Sequence, residues 1–240
     1  MSGYRPQRLS ERMRVASRER GPVPVVADLA RYGGGLVAGL PWTLRGQRGG
    51  FLLDGEEYPY LFHRYKATWL TERAVEVPVA QRMVDRQAGR VLEVGNVLSH
   101  YRQQRHTVVD KYERAPGILN RDVLDLDDLG RFDLILAIST LEHVGWDEEP
   151  RRPDAALEAL MALRALLAAG GRLVLTHPVG YNPHLDRALS GGAVPLARAR
   201  ALRRVGRRAR WVQVPPEDAW AAPYDFLLYS ARAVLFAEIT

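Results

Sequence analysis

The sequence predicts an α/β domain: a doubly wound, mostly parallel sheet with an antiparallel edge strand. Three observations carry this. Short apolar runs alternate with helix-like stretches, which implies parallel strands with helices on both faces. Several of those runs end on an acid or a glycine. The stretch Arg90–Tyr101, RVLEVGNVLSHY, has the length and the glycine stop of a buried parallel strand entering a sharp turn.

Taken in order, residues 1–21 are Arg-rich and poor in large apolar side chains, the pattern of a flexible basic tail or at most a short amphipathic helix. Residues 22–78 form an N-terminal arm or cap. Its first part is punctuated by Gly33-Gly34-Gly35, Pro41 and Gly49-Gly50, and reads as irregular. Its second part is aromatic, with Tyr58, Tyr60, Phe62, Tyr65 and Trp69 either docking the arm or covering a ligand. From residue 79 to 240 the main domain follows, opening with a helix over Val79–Gln87 after Pro78. Strands are expected at His106–Asp110, Arg131–Ile138 and Gly171–Thr176. A helix is expected over Asp154–Ala169, with Asp154 as N-cap and Gly170-Gly171 as its stop. Trp211–Val214 and Arg232–Ile239 read as a closing pair of edge strands.

Composition narrows the function. With 47% hydrophobic and 26% charged residues the chain reads as globular, and no apolar run reaches the roughly 20 residues of a membrane span. The absence of cysteine excludes disulfides, thiolate metal sites and cysteine nucleophiles. A cytoplasmic location is expected, and a homodimer is compatible with the sequence. The net charge of +6 is concentrated at residues 1–20 and 197–210, the latter holding seven Arg and no acid. Such patches suit nucleic acid or phosphorylated ligands, although Lys66 and Lys111 are the only lysines among 34 basic residues, a bias that also fits genome base composition.

In open parallel sheets ligands sit beyond the carboxyl ends of the strands, where strand order reverses. The residues just after each strand are therefore the informative ones. Glu93 and Gly95 end the first strand, with Asn96 next; Asp110 ends the second, beside Lys111; Asp122 and Val123 follow the next short run. An acid at the second strand end can accept hydrogen bonds from both hydroxyls of a ribose. Phe132–Ile135 leads to Ser139-Thr140-Leu141-Glu142-His143-Val144, and Gly170–Leu175 is a further turn and strand.

Glu93-x-Gly95 resembles the acid-x-Gly-x-Gly-x-Gly turn of class I, Rossmann-like S-adenosylmethionine (SAM) methyltransferases, with Val97 and Ser99 at the two later glycine positions. Ser139–Val144 resembles that family's motif after the fourth strand, and the similarity covers about Val79–Gly180. Trp69–Pro78, Glu93–Tyr101, Val109–Glu113 and Ser139–Asp147 also resemble an uncharacterised methyltransferase subgroup that accompanies glycan or natural-product pathways. The resemblance implies a Rossmann-like methyltransferase fold. It also implies methyl transfer from SAM, yielding S-adenosylhomocysteine (SAH), to oxygen or nitrogen of a small natural-product or sugar-like molecule. Cofactor contacts would come from Arg73, Glu93, Gly95, Asn96, Asp110, Lys111, Asp122, Val123 and Ser139. Asp122 stands where the family places an acid near the adenine amino group.

Methyl transfer needs a positioned acceptor and, for a hydroxyl, a base within reach. His143 and His177 are the candidate bases by location, Glu142 the group that orients them, and Tyr65, Trp146, Tyr181 and Asn182 the substrate lining. A divalent metal on His143, Asp147, Glu148, His177 and His184 is a less favoured variant, since their spacing forms no ligand motif. Alternatives are an RNA methyltransferase using the 197–210 arginines, a non-catalytic SAM- or partner-binding module, and a nicotinamide-dependent dehydrogenase. The last is weakened by the missing glycines.

Overall fold

The computed structural model describes residues 9–45, 49–205 and 210–240. Two helices, α1 (Leu9–Arg20) and α2 (Pro22–Arg45), precede a hairpin of β1 (Gly50–Leu53) and β2 (Glu56–Pro59) and then helix α3 (Arg73–Arg86). The main domain continues with β3 (Val91–Val94), β4 (Thr107–Val109), β5 (Ile118–Leu119), β6 (Phe132–Ile138), α4 (Ala155–Ala165), β7 (Leu167–Pro178) and α5 (Pro183–Ser190). It ends with β8 (Arg198–Val205), β9 (Arg210–Val214), β10 (Tyr224–Asp225), β11 (Ser230–Ala231) and β12 (Ala233–Ile239).

Among the described residues, eight strands form one sheet in the order β5-β4-β3-β6-β7-β12-β8-β9. The pairs from β5 to β7 are parallel, and β12 pairs antiparallel with both β7 and β8, which in turn pairs antiparallel with β9. This is the doubly wound, mostly parallel architecture the sequence predicts, with its antiparallel strands gathered at one side. The two C-terminal strands are not partners of each other as expected, because β8 lies between them.

The strands are buried on both faces, as parallel strands must be. Ile135 and Ala137 of β6 pack with α4 residues Ala156, Ala159, Leu160 and Leu163 on one side. Leu134, Leu136 and Ile138 pack with Val77 and Ala80 of α3 on the other. Phe132, Leu134 and Ile135 are each 0% exposed, and each such side chain contributes about 1.5–3 kcal/mol by burial.

Several boundaries differ from the sequence reading for identifiable reasons. Helix α3 starts at Arg73, and Pro78 sits inside it. The proline cannot donate to the Ala74 carbonyl, and the Leu61 N–H donates there instead (3.0 Å). Gly170-Gly171 do not stop a helix: α4 ends at Ala165 and β7 already begins at Leu167, which pairs with Phe132 before a register shift. Asp154 makes no capping hydrogen bond, its carboxylate pairing with His184 Nε2 at 2.8 Å. The segment read as irregular, with its three consecutive glycines, is α2.

The basic N-terminal segment is helical over Leu9–Arg20. Tyr58 and Tyr60 dock the arm, packing with Phe51 and Trp211. Trp69 donates to the Gly35 carbonyl of α2 (3.0 Å). Three of the seven 197–210 arginines serve the fold: Arg198 and Arg200 pair with Asp54 (3.0 and 3.1 Å), Arg200 also with Glu238, and Arg204 donates to the Leu70 carbonyl (2.8 Å). Arg203 is exposed, and Arg207 and Arg208 lie outside the described residues. Among the described residues no helix is long and apolar enough to cross a membrane.

Candidate functional site

Strand order reverses between β3 and β6, since β4 and β5 lie to one side of β3 and β7 to the far side of β6. Their carboxyl ends open a crevice at that point. A cleft of ≈ 460 Å³ stands there, floored by Val94, Gly95 and Asn96 and walled by Asp110, Asp122, Val123, Ser139 and His143.

Gly95 makes the floor possible. Its φ of +82° lies in the left-handed region, and an added Cβ would fall 2.2 Å from Thr140 Oγ1 and 2.8 Å from its Cγ2. The Gly95 N–H donates to the Val109 carbonyl (2.8 Å), fixing the turn to β4. Gly95→Ala is expected to destabilise the chain by about 1–3 kcal/mol through backbone strain and this clash. Thermal unfolding measures it, and an unchanged melting temperature would contradict the assignment.

The acids at the strand ends behave differently from one another. Glu93 is 0% exposed and does not line the cleft. Its Oε1 accepts the N–H groups of Val97 and Leu98, each at 2.8 Å, and its Oε2 meets His106 Nε2 at 2.8 Å. The direct cofactor contact expected of it is therefore corrected to a role inside the turn. Asp110 lines the cleft, yet accepts N–H bonds from Asn96 (3.0 Å), Tyr112 (2.8 Å) and Glu113 (2.7 Å). A carboxylate has about four acceptor positions, so one remains for a ligand hydroxyl.

Asp122 Oδ2 pairs with Lys111 Nζ at 2.9 Å, and the same ammonium reaches Glu148 Oε1 at 2.7 Å. Burial opposes ionisation of Asp122, but the Leu124 N–H and the Lys111 ammonium outweigh it and hold the carboxyl below its usual range. Burial likewise works against the charge on Lys111, and its bonds to Glu148 and Asp122 raise its pKa. Of Val97 and Ser99, which stand where the resembled motif has its later glycines, Val97 lines the cleft beside Asn96 and Ser99 does not. Val97 packs with Leu98 and Leu136, and the Ser99 hydroxyl bonds the Asn96 side chain.

Arg73 lines the cleft and donates to Glu76 Oε2 (3.0 Å) and the Ile138 carbonyl (3.1 Å). Glu76 is 0% exposed and also receives the hydroxyls of Ser139 (2.5 Å) and Thr176 (2.6 Å). This network holds Ser139 at a φ of +41°, an uncommon angle for serine.

His143 faces the cleft with its side chain 34% exposed. Its Nδ1 meets Asp147 Oδ2 at 2.6 Å and its Nε2 lies 3.6 Å from Glu142 Oε1. Burial opposes its charge, but the Asp147 hydrogen bond and the Glu142 carboxylate outweigh it and raise the imidazole pKa. His177 is corrected out of the site: it is 1% exposed, absent from the cleft wall, and bonded through Nε2 to Asp186 at 2.5 Å.

The substrate candidates divide. Tyr65 lines the cleft, stacked on His100 at 4.2 Å between centroids. Tyr181 packs edge-on against His143 at 4.6 Å and donates to Asp147 Oδ2 (2.6 Å). Trp146 lies outside the lining, under the Arg151 guanidinium at 4.4 Å. Asn182 is the N-cap of α5, accepting from His184 and Leu185 N–H, and its amide donates to the Glu142 carbonyl (3.0 Å). Among the described residues no group of three or more His, Cys, Asp or Glu could hold a metal ion. Sequence reasoning missed His100, Tyr101, Tyr112 and Glu113 of the cleft wall, all of which lie in the loops just after β3 and β4.

No protein-family model matches the sequence, and no curated protein matches it. Solved structures do. The N-methyltransferase NodS from Bradyrhizobium japonicum WM9, in complex with SAH, is 15% identical, with a TM-score of 0.44 over 70% of this chain and 85% of that one. A SAM-dependent methyltransferase from Thermotoga maritima is 13% identical, with a TM-score of 0.43 over 73% and 95%. The sugar N-methyltransferase KedS8 from Streptoalloteichus sp ATCC 53650 is 14% identical, with a TM-score of 0.36 over 80% and 98%.

Proposed function

We propose that the chain is a SAM-dependent methyltransferase acting on an oxygen or nitrogen of a small, natural-product or sugar-like acceptor. The observation that carries this reading is the placement of the cleft. It opens at the reversal point of the sheet, over a glycine whose missing Cβ lets Thr140 pack against it, with Asp110, Asp122 and His143 on its wall.

The residues present fit SAM. Asp110, with its one spare acceptor position, would take one ribose hydroxyl. Asp122 with Val123 would take the adenine end, and Arg73 and Asn96 the amino-acid end. When bound, SAM supplies a methyl group on a sulfonium, already activated for in-line displacement. The protein's own task is then to place the acceptor, exclude water and take up a proton. His143 lines the cleft and is the group that would take up the proton, with Asp147 bonded to Nδ1 and so leaving Nε2 for the acceptor. The RNA alternative loses support because Arg198, Arg200 and Arg204 are engaged within the fold.

Calorimetric titration with SAM, SAH and NAD tests the reading. Saturable binding of SAM and SAH, and none of NAD, is expected. Asp110→Asn should weaken SAH binding about tenfold, or about 1.4 kcal/mol. No heat with SAM or SAH would defeat the proposal, and binding of NAD alone would favour the dehydrogenase reading.

A further inference from the structure

Among the described residues the cleft is lined by four Lys and Arg side chains: Lys66, Arg73, Lys111 and Arg121. Three of them are balanced within the fold. Lys111 pairs with Asp122 and Glu148, and Arg121 with Asp128 at 2.7 Å. Arg73 pairs with Glu76. Burial opposes the Arg73 charge, but Glu76, Glu72, Tyr101 and Glu142 outweigh it and raise the guanidinium pKa. An anion approaching Arg73 therefore meets those acids as well. Lys66 has no carboxylate partner among the described residues, and its ammonium stands 5.9 Å from the ring of its own neighbour, Tyr65.

The N-terminal arm brings Lys66 to the cleft through an uncommon turn. Lys66 (φ 57°, ψ 13°) and Ala67 (φ 43°, ψ 60°) are consecutive left-handed residues, neither of them glycine, a conformation that is unfavourable for side chains with a Cβ. Thr68, 0% exposed, fixes the turn. Its hydroxyl donates to the Leu61 carbonyl (2.5 Å) and accepts the His63 N–H (2.8 Å), and its own N–H donates to the His63 carbonyl (3.1 Å). Tyr65 ties the same turn to the cleft wall. Its ring stacks on His100, its hydroxyl lies 3.3 Å from His100 Nε2, and that nitrogen meets Glu113 at 3.2 Å. His100 closes the short helical turn that begins at Leu98, just after Gly95 and Asn96. The arm thus meets the cleft beside the turn that carries Asn96.

We propose that Lys66 reads the carboxylate of the cofactor's amino-acid end, so that the arm sets the preference for SAM and SAH over adenosyl compounds lacking that end. The inference rests on the methyltransferase reading and deepens it. Adenine and ribose are uncharged, and the carboxylate is the single anionic group of either compound. An ammonium has three donors and no acceptor. Lys66 is the cleft cation whose charge the fold leaves for such a group, in a position held by Thr68 and Tyr65 before any ligand enters.

Methylthioadenosine, which keeps the adenosyl sulfur and lacks the amino acid, isolates this contact. It and SAH are titrated calorimetrically into the full chain and its variants. The native chain is expected to bind SAH at least about tenfold more tightly than methylthioadenosine, a margin of about 1.4 kcal/mol. Lys66→Asn removes the charge with a residue that accepts the left-handed backbone, and should close most of that margin by weakening SAH alone. Lys66→Arg should keep it. Asp110→Asn should weaken both ligands alike and leave the margin in place. An undiminished margin in Lys66→Asn, equal weakening of both ligands there, an equal loss in Lys66→Arg, or a native chain that binds the two ligands alike would each overturn the inference. Those outcomes, with SAH still bound by the native chain, sink this proposal alone, whereas binding of neither ligand defeats the methyltransferase reading beneath it.

Discussion

Glu93→Ala is expected to destabilise the chain by about 3–5 kcal/mol, the cost of removing one partner from a buried charged cluster. The carboxylate is 0% exposed and accepts two backbone N–H groups and one imidazole, all at 2.8 Å. Alanine leaves the Val97 and Leu98 donors and His106 without their acceptor, and no water can reach them without opening the turn. That turn is also the cleft floor, so SAH binding should fail together with stability. Denaturant unfolding at pH 7 reads the first effect and calorimetry the second. The comparison separates two roles for the acid. A ligand-gripping Glu93 would lose SAH affinity with stability intact, whereas the structural one loses both. A change below about 1 kcal/mol would reject the structural role.

The same residue marks how far the sequence could be read. The strand ending at Gly95 is legible because an apolar run closed by glycine has few other uses, and the acid inside it is conspicuous. The direction of that acid is not written in the run. Leu92 and Val94 pack on one face of β3, so alternation sends Glu93 to the other, where it meets the N–H groups of its own turn. Asp110, one strand over, lies past the end of β4 and so stays on the cleft wall.

Local signals misled where tertiary contacts supplied what a propensity lacks. Pro78 looks like a helix start, but the Leu61 N–H fills the acceptor it leaves open. Gly170-Gly171 looks like a helix stop, but Gly171 is where β7 presses against the Phe132 carbonyl, 2.7 Å from where a Cβ would stand. Tyr224, Phe226 and Tyr229 carry no sequence signal linking them to His143, some eighty residues earlier. Only the pairing of β12 beside β7, which carries the β10–β11 hairpin to the sheet's carboxyl end, brings them there.

If His143 takes the proton, His143→Ala should lower kcat about 10²–10⁴-fold, the usual worth of a positioned acid or base, with SAH affinity kept within about threefold. The pH dependence is the sharper measurement. The Asp147 hydrogen bond and Glu142 outweigh burial and raise the imidazole pKa, so the ring is protonated at pH values where a free histidine, near 6.5, is already neutral. Activity should therefore fall as pH drops through a value above about 6.5. Asp147→Asn removes the negative charge 2.6 Å from Nδ1, and the acid limb should move to lower pH. The stability change has the matching sign. A raised folded-state pKa contributes stability that is fully present below the unfolded value and lost as pH rises through the folded one. Asp147→Asn should thus cost stability at pH 6 and much less at pH 9, measured by thermal unfolding. The Tyr181 hydroxyl also donates to Asp147 Oδ2 (2.6 Å), so a Tyr181→Phe control keeps the carboxylate while removing that bond. An acid limb unmoved in Asp147→Asn would remove His143 from the proton-accepting role.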